Sequence, residues 1–472
     1  MIIGRIKEQE QLALSIKSNH AEFVVVYGRR RIGKTFLIKE YFKEQFSFYS
    51  TGVLSNKSKD ELMVFYQSLK RYGYEGTKCP KNWFEAFEIL KNMIEADIVK
   101  IDPRYNKRII FLDELPWMDT FKSDFKGAFD FFWNSFASTQ KDLVLIVCGS
   151  AASWILNNLL NSRGGFYNRV TCKIHLKPFN LYEAEQLINN TNGNSLSKKE
   201  IIDSYMIFGG VPYYLNFIDP AFSLIQNVDN LLFKNGGQLE YEFVNLFSSL
   251  FNNYSIHMKI IEALSNKMKG LTRNEIIEIS KLSSGETINK VLSELEECGF
   301  IRKYIDYKTN TKNSLYQIID PFILFAFNHL MQKKVSLWQN YVGSPSYYSW
   351  CGRAFEIVCL NHINEMKEAL GISGIDSLDY SFYQNKKGGA QIDFMIDRKD
   401  NIINLCEMKY SDKEYVITDE YKDNILNKVE VFRNVTKTKK TIVVTFVTLN
   451  GVAKNKNYNV VRKEININDL LK

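Results

Sequence analysis

The stretch Gly28-Arg29-Arg30-Arg31-Ile32-Gly33-Lys34-Thr35 spaces two glycines five residues apart and follows the second at once with a lysine and a threonine. These residue types suit a backbone that must wrap a phosphate. Glycines at both ends let successive N–H groups turn inward, and a helix starting near Lys34 adds the positive end of its dipole. Lys34 is expected to reach the β- and γ-phosphates, and the Thr35 hydroxyl to ligate Mg²⁺. The expected binding segment runs from Gly28 through Ile32 to Phe36. Arg29, Arg30 and Arg31 fill its variable positions and are expected to face solvent or neighbouring segments rather than perform chemistry. A second group completes the requirement. Arg108-Ile109-Ile110-Phe111-Leu112-Asp113-Glu114 is a buried-strand pattern ending in two acids. Asp113 is expected to hold the metal shell and Glu114 to orient or deprotonate an attacking water. The expected cofactors are ATP and Mg²⁺.

Three further groups could take part. Gly149-Ser150 ends the apolar run Leu143–Cys148 and puts a short polar side chain where it could sit beside a γ-phosphate. Arg163 and Arg169 are candidates for an arginine finger, and Arg169 is the expected catalytic arginine. Near the C-terminus, Asp393 is followed after thirteen residues by Glu407-Met408-Lys409. Side chains alternate along a strand, so Glu407 and Lys409 share a face. Asp393 on a neighbouring strand could approach Glu407, and Glu356 on a preceding helix could add a third acid. Glu356, Asp393 and Glu407 are therefore expected metal ligands, with Glu407 and Lys409 the catalytic pair.

The elements that must position these residues follow from periodicity. Phe23–Tyr27 is an unbroken apolar, β-branched run before the glycine loop, and Thr35–Phe42 has helical spacing after it. Strands are predicted at Phe23–Tyr27, Phe46–Ser50, Arg108–Leu112, Leu143–Cys148 and Val170–His175. Helices lie between them, including Lys57–Arg71 and Asn82–Asp97. Alternation of this kind predicts an α/β layer on a mostly parallel sheet. From Leu181 to Leu250 helices dominate, interrupted by Gly209-Gly210-Val211-Pro212. Helices at His257–Asn266, after the capping box Thr272/Glu275, and at Glu286–Glu297 precede two strand-like pieces, Phe300–Tyr307 and Asn313–Ile319. Three helices and a hairpin predict a winged helix-turn-helix. Its third helix carries Glu286, Glu294, Glu296 and Glu297 against Lys290, which opposes phosphate approach and favours an intramolecular or protein-contact role. The Lys308/Lys312 tip could still touch a nucleic-acid backbone. A helix at Gly352–Lys367, strands at Tyr380–Gln384, Gln391–Ile396 and Ile402–Met408, a helix at Tyr421–Arg433 and a closing strand at Thr441–Val447 make the last unit.

In 472 residues, 61 basic side chains nearly balance 53 acidic ones, so the net charge of +8 permits a nucleic-acid partner without requiring one. Seven cysteines without a C-x-x-C pair exclude a disulfide framework or zinc signature; Cys148, Cys359 and Cys406 sit in apolar runs as core thiols. The five histidines are scattered and read as structural. With no signal-peptide pattern and no apolar run near 18 residues, a cytoplasmic location away from membranes is expected.

In order, Gly4-Arg5 with Glu8, the glycine loop, Leu112-Asp113-Glu114, Cys148-Gly149-Ser150 and Gly209-Gly210-Val211-Pro212-Tyr213-Tyr214-Leu215 resemble the archaeal-type AAA+ ATPases, relatives of the STAND signalling NTPases. The resemblance spans essentially the whole chain. It implies a P-loop NTPase parallel sheet with a helical lid, a winged helix and a C-terminal domain like the PD-(D/E)xK nucleases, of unassigned function. Asn168-Arg169 stands where that family shows Gly-Arg, and Ile392 where the nuclease motif has proline. The expected domains are 1–180, an ATPase core; 181–250, a lid; 251–331, the winged helix; and 332–472, the nuclease-like domain. Two functions follow: ATP hydrolysis gating cleavage of DNA or RNA, or a nucleotide-switched regulatory protein with an inactive C-terminal domain, acting through a protein partner or self-association.

Overall fold

The computed structural model describes residues 1–472 apart from 56, 151, 161–167, 191–194, 252, 268, 283–284, 308–313, 332–335 and 385–388. Arg163, Lys308 and Lys312, considered above, lie outside the described residues, as does part of the turn before helix Glu286–Glu297. The chain divides into two compact units, Met1–Lys177 and Pro178–Lys472.

The first unit is an α/β layer. Strands β1 (Glu22–Tyr27), β2 (Phe48–Thr51), β3 (Arg108–Asp113), β4 (Leu143–Gly149) and β5 (Cys172–His175) form one sheet in the order β2-β3-β4-β1-β5. Every pair in it is parallel. A parallel sheet must be covered on both faces, which is why its central strands carry unbroken apolar runs at 23–26, 109–112 and 143–148. The period of two sorts them. Val24 and Val26 face Leu12, Leu37, Ile38 and Phe42, while Phe23 and Val25 face Trp83, Phe87, Phe129 and Trp133. Helices Ile6–Lys17 and Lys34–Tyr41 supply the first layer, and Trp83–Glu95 and Phe125–Ser135 supply much of the second. Parallel strands bring the carboxyl ends of β1, β3 and β4 to one edge of the sheet, where the expected chemistry lies.

The second unit opens with helices Leu181–Ile188, Lys198–Phe208 and Pro212–Leu215. Gly209 stops the second of these at φ 63°, and a Cβ on Gly210 would stand 1.8 Å from the Phe179 carbonyl oxygen. Only glycine tolerates both demands, and Pro212 then starts the next helix at a position that needs no N–H. Three helices, Ser255–Ser265, Arg273–Ser280 and Glu286–Glu297, accompany β6 (Leu271–Thr272), β7 (Ile301–Tyr304) and β8 (Leu315–Ile318), an antiparallel sheet in the order β6-β8-β7. The Thr272/Glu275 capping box forms as expected. The acids of the third helix are partly accounted for within the unit. Glu294 bonds His257 Nε2 at 2.9 Å, and burial raises the carboxyls of Glu296 and Glu297.

The chain ends in a mixed sheet of β9 (Ser377–Tyr383), β10 (Gln391–Arg398), β11 (Ile402–Lys409), β12 (Thr441–Thr448) and β13 (Lys463–Ile465), in the order β13-β12-β11-β10-β9. The first three run antiparallel and the last three parallel, with helix Asp419–Thr436 crossing from β11 to β12. Two expectations are corrected here. The predicted helix Gly352–Lys367 starts earlier, at Pro345 under a Ser344 cap, and breaks at His362 into Pro345–Asn361 and Ile363–Ala369. The predicted closing strand is not the last element, because β13 and helix Ile467–Leu470 follow it. Both are too short to carry a periodic signal.

Candidate functional site

At the carboxyl end of β1 the glycine loop turns directly into helix Lys34–Tyr41. Gly33 is its N-cap at φ 86°, and Gly28 has φ 143°. A Cβ on Gly28 would lie 2.2 Å from the Leu176 carbonyl oxygen and 2.7 Å from Ile32 Cδ1, so the loop is packed too closely for a side chain there. Lys34 is buried, and its ammonium donates to the Gly28 and Arg29 carbonyls at 3.0 and 2.8 Å. Thr35 Oγ1 donates to Asp113 Oδ1 at 3.0 Å, joining the loop to the end of β3. Of the three loop arginines, expected to face solvent or neighbouring segments, Arg29 is buried at 3% exposure, while Arg30 and Arg31 are half-buried; Phe36 is exposed. Gly4-Arg5, at the start of helix Ile6–Lys17, belongs to the same neighbourhood: Arg5 donates to the Ile32 carbonyl and pairs with Glu8.

Asp113 is buried between strands. Burial raises its carboxyl above the ordinary range and Glu114 adds to that, while hydrogen bonds from the Cys148 thiol, the Thr35 hydroxyl and the Glu114 N–H pull the other way. Burial likewise holds the Cys148 thiol in its protonated, donating form. Glu114 turns away from the sheet at φ 46°, ψ 45°, a left-handed conformation costing a non-glycine residue about 1 kcal/mol. That turn carries its carboxylate to Ser150, whose N–H and hydroxyl donate to Oε2 at 3.1 and 2.8 Å. The loop, Asp113, Glu114 and Ser150 thus come together at one sheet edge. Arg169 is exposed just before β5, and among the described residues no hydrogen bond or ion pair joins it to Asp113 or Glu114.

The C-terminal acids occupy the second unit. The antiparallel register of β10 and β11 runs to Phe394↔Cys406, and Asp393 and Glu407 are the next residue along each strand. Asp393 and Glu356 line one cavity of about 250 Å³ between β9–β11 and the antiparallel three-stranded sheet, which contributes Tyr304 and Gln317. Burial raises the Glu356 carboxyl to about 8; Asp393 and Glu407 push in the same direction, and Lys409 and Arg353 oppose them. Glu407 is 4% exposed, and both its oxygens are engaged. Lys428 Nζ donates to Oε1 at 2.6 Å, the Tyr421 hydroxyl donates to Oε2, and Lys409 stands farther off at 3.9 Å. Lys428 and Tyr421, seven residues apart on one face of helix Asp419–Thr436, are missed by sequence reasoning, although that spacing is a signal. Gln391, which donates to Asp393 at 2.6 Å, is missed too, two positions away on the same strand. Among the described residues no three His, Cys, Asp or Glu side chains gather as metal ligands.

A parallel sheet whose first strand feeds a glycine loop and helix, with an acid pair ending the strand two places away, defines the P-loop class of nucleotide-handling domain. Residues 3–218 match a family model described as an ATPase domain predominantly from Archaea. An uncharacterized protein of Methanocaldococcus jannaschii is 23% identical over 439 residues, 90% of this chain and 91% of its own, so that likeness runs well past residue 218. An uncharacterized ATP-binding protein of the same organism is 40% identical over 45 residues, 10% of this chain and 76% of its own. Among solved structures, a Walker-type ATPase of Pyrococcus abyssi aligns with TM-score 0.46 and 16% identity over 69% of this chain and 96% of that one. The ORC2 protein of Aeropyrum pernix, solved as ADPNP and ADP complexes, aligns with TM-score 0.45 and 14% identity, over 71% and 95%. No helix among the described residues is long and apolar enough to cross a membrane.

Proposed function

We propose that the chain binds and hydrolyses ATP with Mg²⁺ at the loop Gly28–Thr35, and that nucleotide state governs the C-terminal domain. The observation carrying this reading is the 3.0 Å pair between Thr35 and Asp113, beside a buried lysine and a glutamate held by Ser150. A hydroxyl and a carboxylate brought together next to a lysine are the donor set that suits a magnesium nucleotide. Thr35 and Asp113 would hold the ion, Lys34 and the loop N–H groups the phosphates, and the bound ion would neutralise charge on the phosphoryl oxygens. Glu114 orients the attacking water and takes its proton, and Ser150 fixes where that carboxylate stands. Arg169 is the arginine assigned to charge developing on the transferred group.

We read the chain as an ATPase core at 1–180, a lid at 181–250, a winged helix at 251–331 and a nuclease-like domain at 332–472. The order helix, three strands, helix, strand supports that last reading, with Glu356 on the first helix, Asp393 on β10, and Glu407 and Lys409 on β11. DNA or RNA is the proposed substrate class. Among the described residues these acids do not gather as a metal-ligand set. A second reading, a nucleotide-switched regulatory protein with an inactive C-terminal domain, is favoured by one observation: Lys428 and Tyr421 already occupy both oxygens of Glu407.

ATPase and nuclease assays run in parallel on wild type, Glu114→Gln and Lys409→Ala test both. Glu114→Gln is expected to keep nucleotide binding and lower turnover at least about a hundredfold; unchanged turnover would remove Glu114 from the mechanism. Cleavage by wild type that disappears in Lys409→Ala supports the first reading. Absence of cleavage on every strand type, with association differing between ATP and ADP, selects the second.

A further inference from the structure

Helix Leu181–Ile188 is capped by Asn180, whose side chain accepts from the Glu183 N–H. The first amide of the helix, at Leu181, donates instead to His362 Nε2 at 2.8 Å. On the other side of the same ring, Nδ1 stands 2.7 Å from the Val358 carbonyl oxygen. These two partners fix the charge of the ring. A backbone N–H only donates, so Nε2 must be a bare acceptor; a carbonyl only accepts, so Nδ1 must carry the hydrogen. The neutral imidazole with hydrogen on Nδ1 is the one form that satisfies both. Protonation would set a ring N–H against the Leu181 N–H, and His362 is 0% exposed, so no water reaches the ring to relieve the conflict.

The groups around the ring leave its state to pH. Glu365, on helix Ile363–Ala369, is the charge that favours protonation, and it accepts from Asn180 Nδ2 at 3.1 Å. From helix Lys198–Phe208 the Tyr205 ring meets the imidazole edge-on at 5.1 Å between centroids, and its hydroxyl donates to the Phe179 carbonyl. Glu183 accepts from the Asn180 N–H, and Asp469, on the helix Ile467–Leu470 that packs against Ile363–Ala369, pairs with Lys472. Burial outweighs Glu365 and the Val358 carbonyl and holds the imidazole below its ordinary 6.5. We propose that His362 is a pH-operated latch on the start of the second unit. Neutral, it pins segment 178–188 to the break between helices Pro345–Asn361 and Ile363–Ala369; charged, it releases that segment, and Glu365 answers the new charge. The segment is the chain's way into the second unit, since the first ends at Lys177. A ring titrating below its ordinary value keeps the latch shut at 6.5 and above, and opening follows as pH falls through the lower folded value.

Hydrogen exchange of the full chain tests this, read by mass spectrometry over residues 178–190 from about pH 7.5 to about pH 5 and corrected for the intrinsic pH dependence of exchange. Wild type is compared with His362→Gln, which keeps an acceptor and cannot be protonated, and with His362→Phe, which keeps a ring and offers no acceptor. Wild type should match the Gln variant at the upper end. Toward the lower end it should lose about ten- to hundredfold of its protection and approach the Phe variant. The chain has five histidines, so nitrogen NMR of histidine-labelled protein reads the ring directly. The signals absent from His362→Gln should show hydrogen on Nδ1 at neutral pH and titrate below 6.5. Should His362→Phe fail to fold, wild type against His362→Gln decides alone. Equal loss of protection in those two, protection in wild type that stays constant across the window, or hydrogen on Nε2 at neutral pH would each overturn the proposal.

Discussion

Glu61 sits on helix Ser58–Arg71 with 1% of its surface exposed, and the Val53 N–H donates to its two carboxylate oxygens at 3.3 Å each. Burial raises its carboxyl to about 7, the Val53 hydrogen bond opposes this, and Asp60 adds to it. A carboxyl raised on folding binds its proton more tightly in the native state. The stability it confers is complete below the unfolded value of 4.5 and is lost as pH climbs through about 7. Glu61→Gln cannot lose that proton. Its melting temperature, measured against wild type from about pH 4.5 to pH 8, should gain progressively and level off above about 7. A difference that stays flat over this window would contradict the assignment. Legibility in the sequence varies sharply at this scale. Gly28, Lys34, Thr35, Asp113 and Glu114 are readable because glycine geometry and paired acids leave a local signature. The left-handed turn that aims Glu114 at Ser150 is not, since it depends on β3 and β4 lying side by side.

Among the elements, β11 and helix Asp419–Thr436 show a buried charge held by a neighbour. Glu407 projects from the strand, and Lys428 and Tyr421 reach it from the helix. Removing one partner of such a pair strands the other charge in a poor solvent. Lys428→Met should lower unfolding free energy by about 3 kcal/mol, read from the denaturant midpoint, and adding Glu407→Gln should restore much of it. If the double variant is no better than the single one, the ion pair is not what the lysine supplies. The sequence shows β11 and this helix plainly through their periods. It conceals the pairing between them, which requires knowing that the helix crosses back over the sheet at that register. The short elements β6 and β13 escape notice because two or three residues cannot establish a period, whereas β4, apolar throughout, and β1, apolar after Glu22, are unmistakable.

On the scale of the molecule, one hydrophobic cluster runs through the second unit from its first helices to its last sheet, beside two smaller clusters around that sheet. Phe208 and Phe247 from helices Lys198–Phe208 and Glu242–Leu250, Ile260, Leu295 and Phe300 from the antiparallel segment and its helices, Phe355 from helix Pro345–Asn361, and Ile396 and Val447 from the last sheet belong to a single hydrophobic cluster. Division of this unit at residue 331 would expose that cluster on both pieces. Residues 178–472 expressed alone should therefore melt as one cooperative transition, whereas residues 332–472 alone should lack one and bind a hydrophobic dye. Independent cooperative folding of the shorter piece would show that the shared core is dispensable. Local patterns suggest several modules here because each has its own turn chemistry; only packing reveals that they share an interior.

The outer edge of β9 has a consequence for solutions of the protein. Asp306 forms a parallel bridge with Ser381, the Tyr307 N–H donates to the Ser381 carbonyl at 2.9 Å, and the Tyr307 ring packs against Tyr380 and Phe432. A strand at the rim of a sheet ordinarily presents open hydrogen-bonding groups to any other chain it meets, the starting point of fibrils and swapped dimers. Here part of that rim is closed by the protein's own chain, which leaves a stranger's strand fewer places to attach.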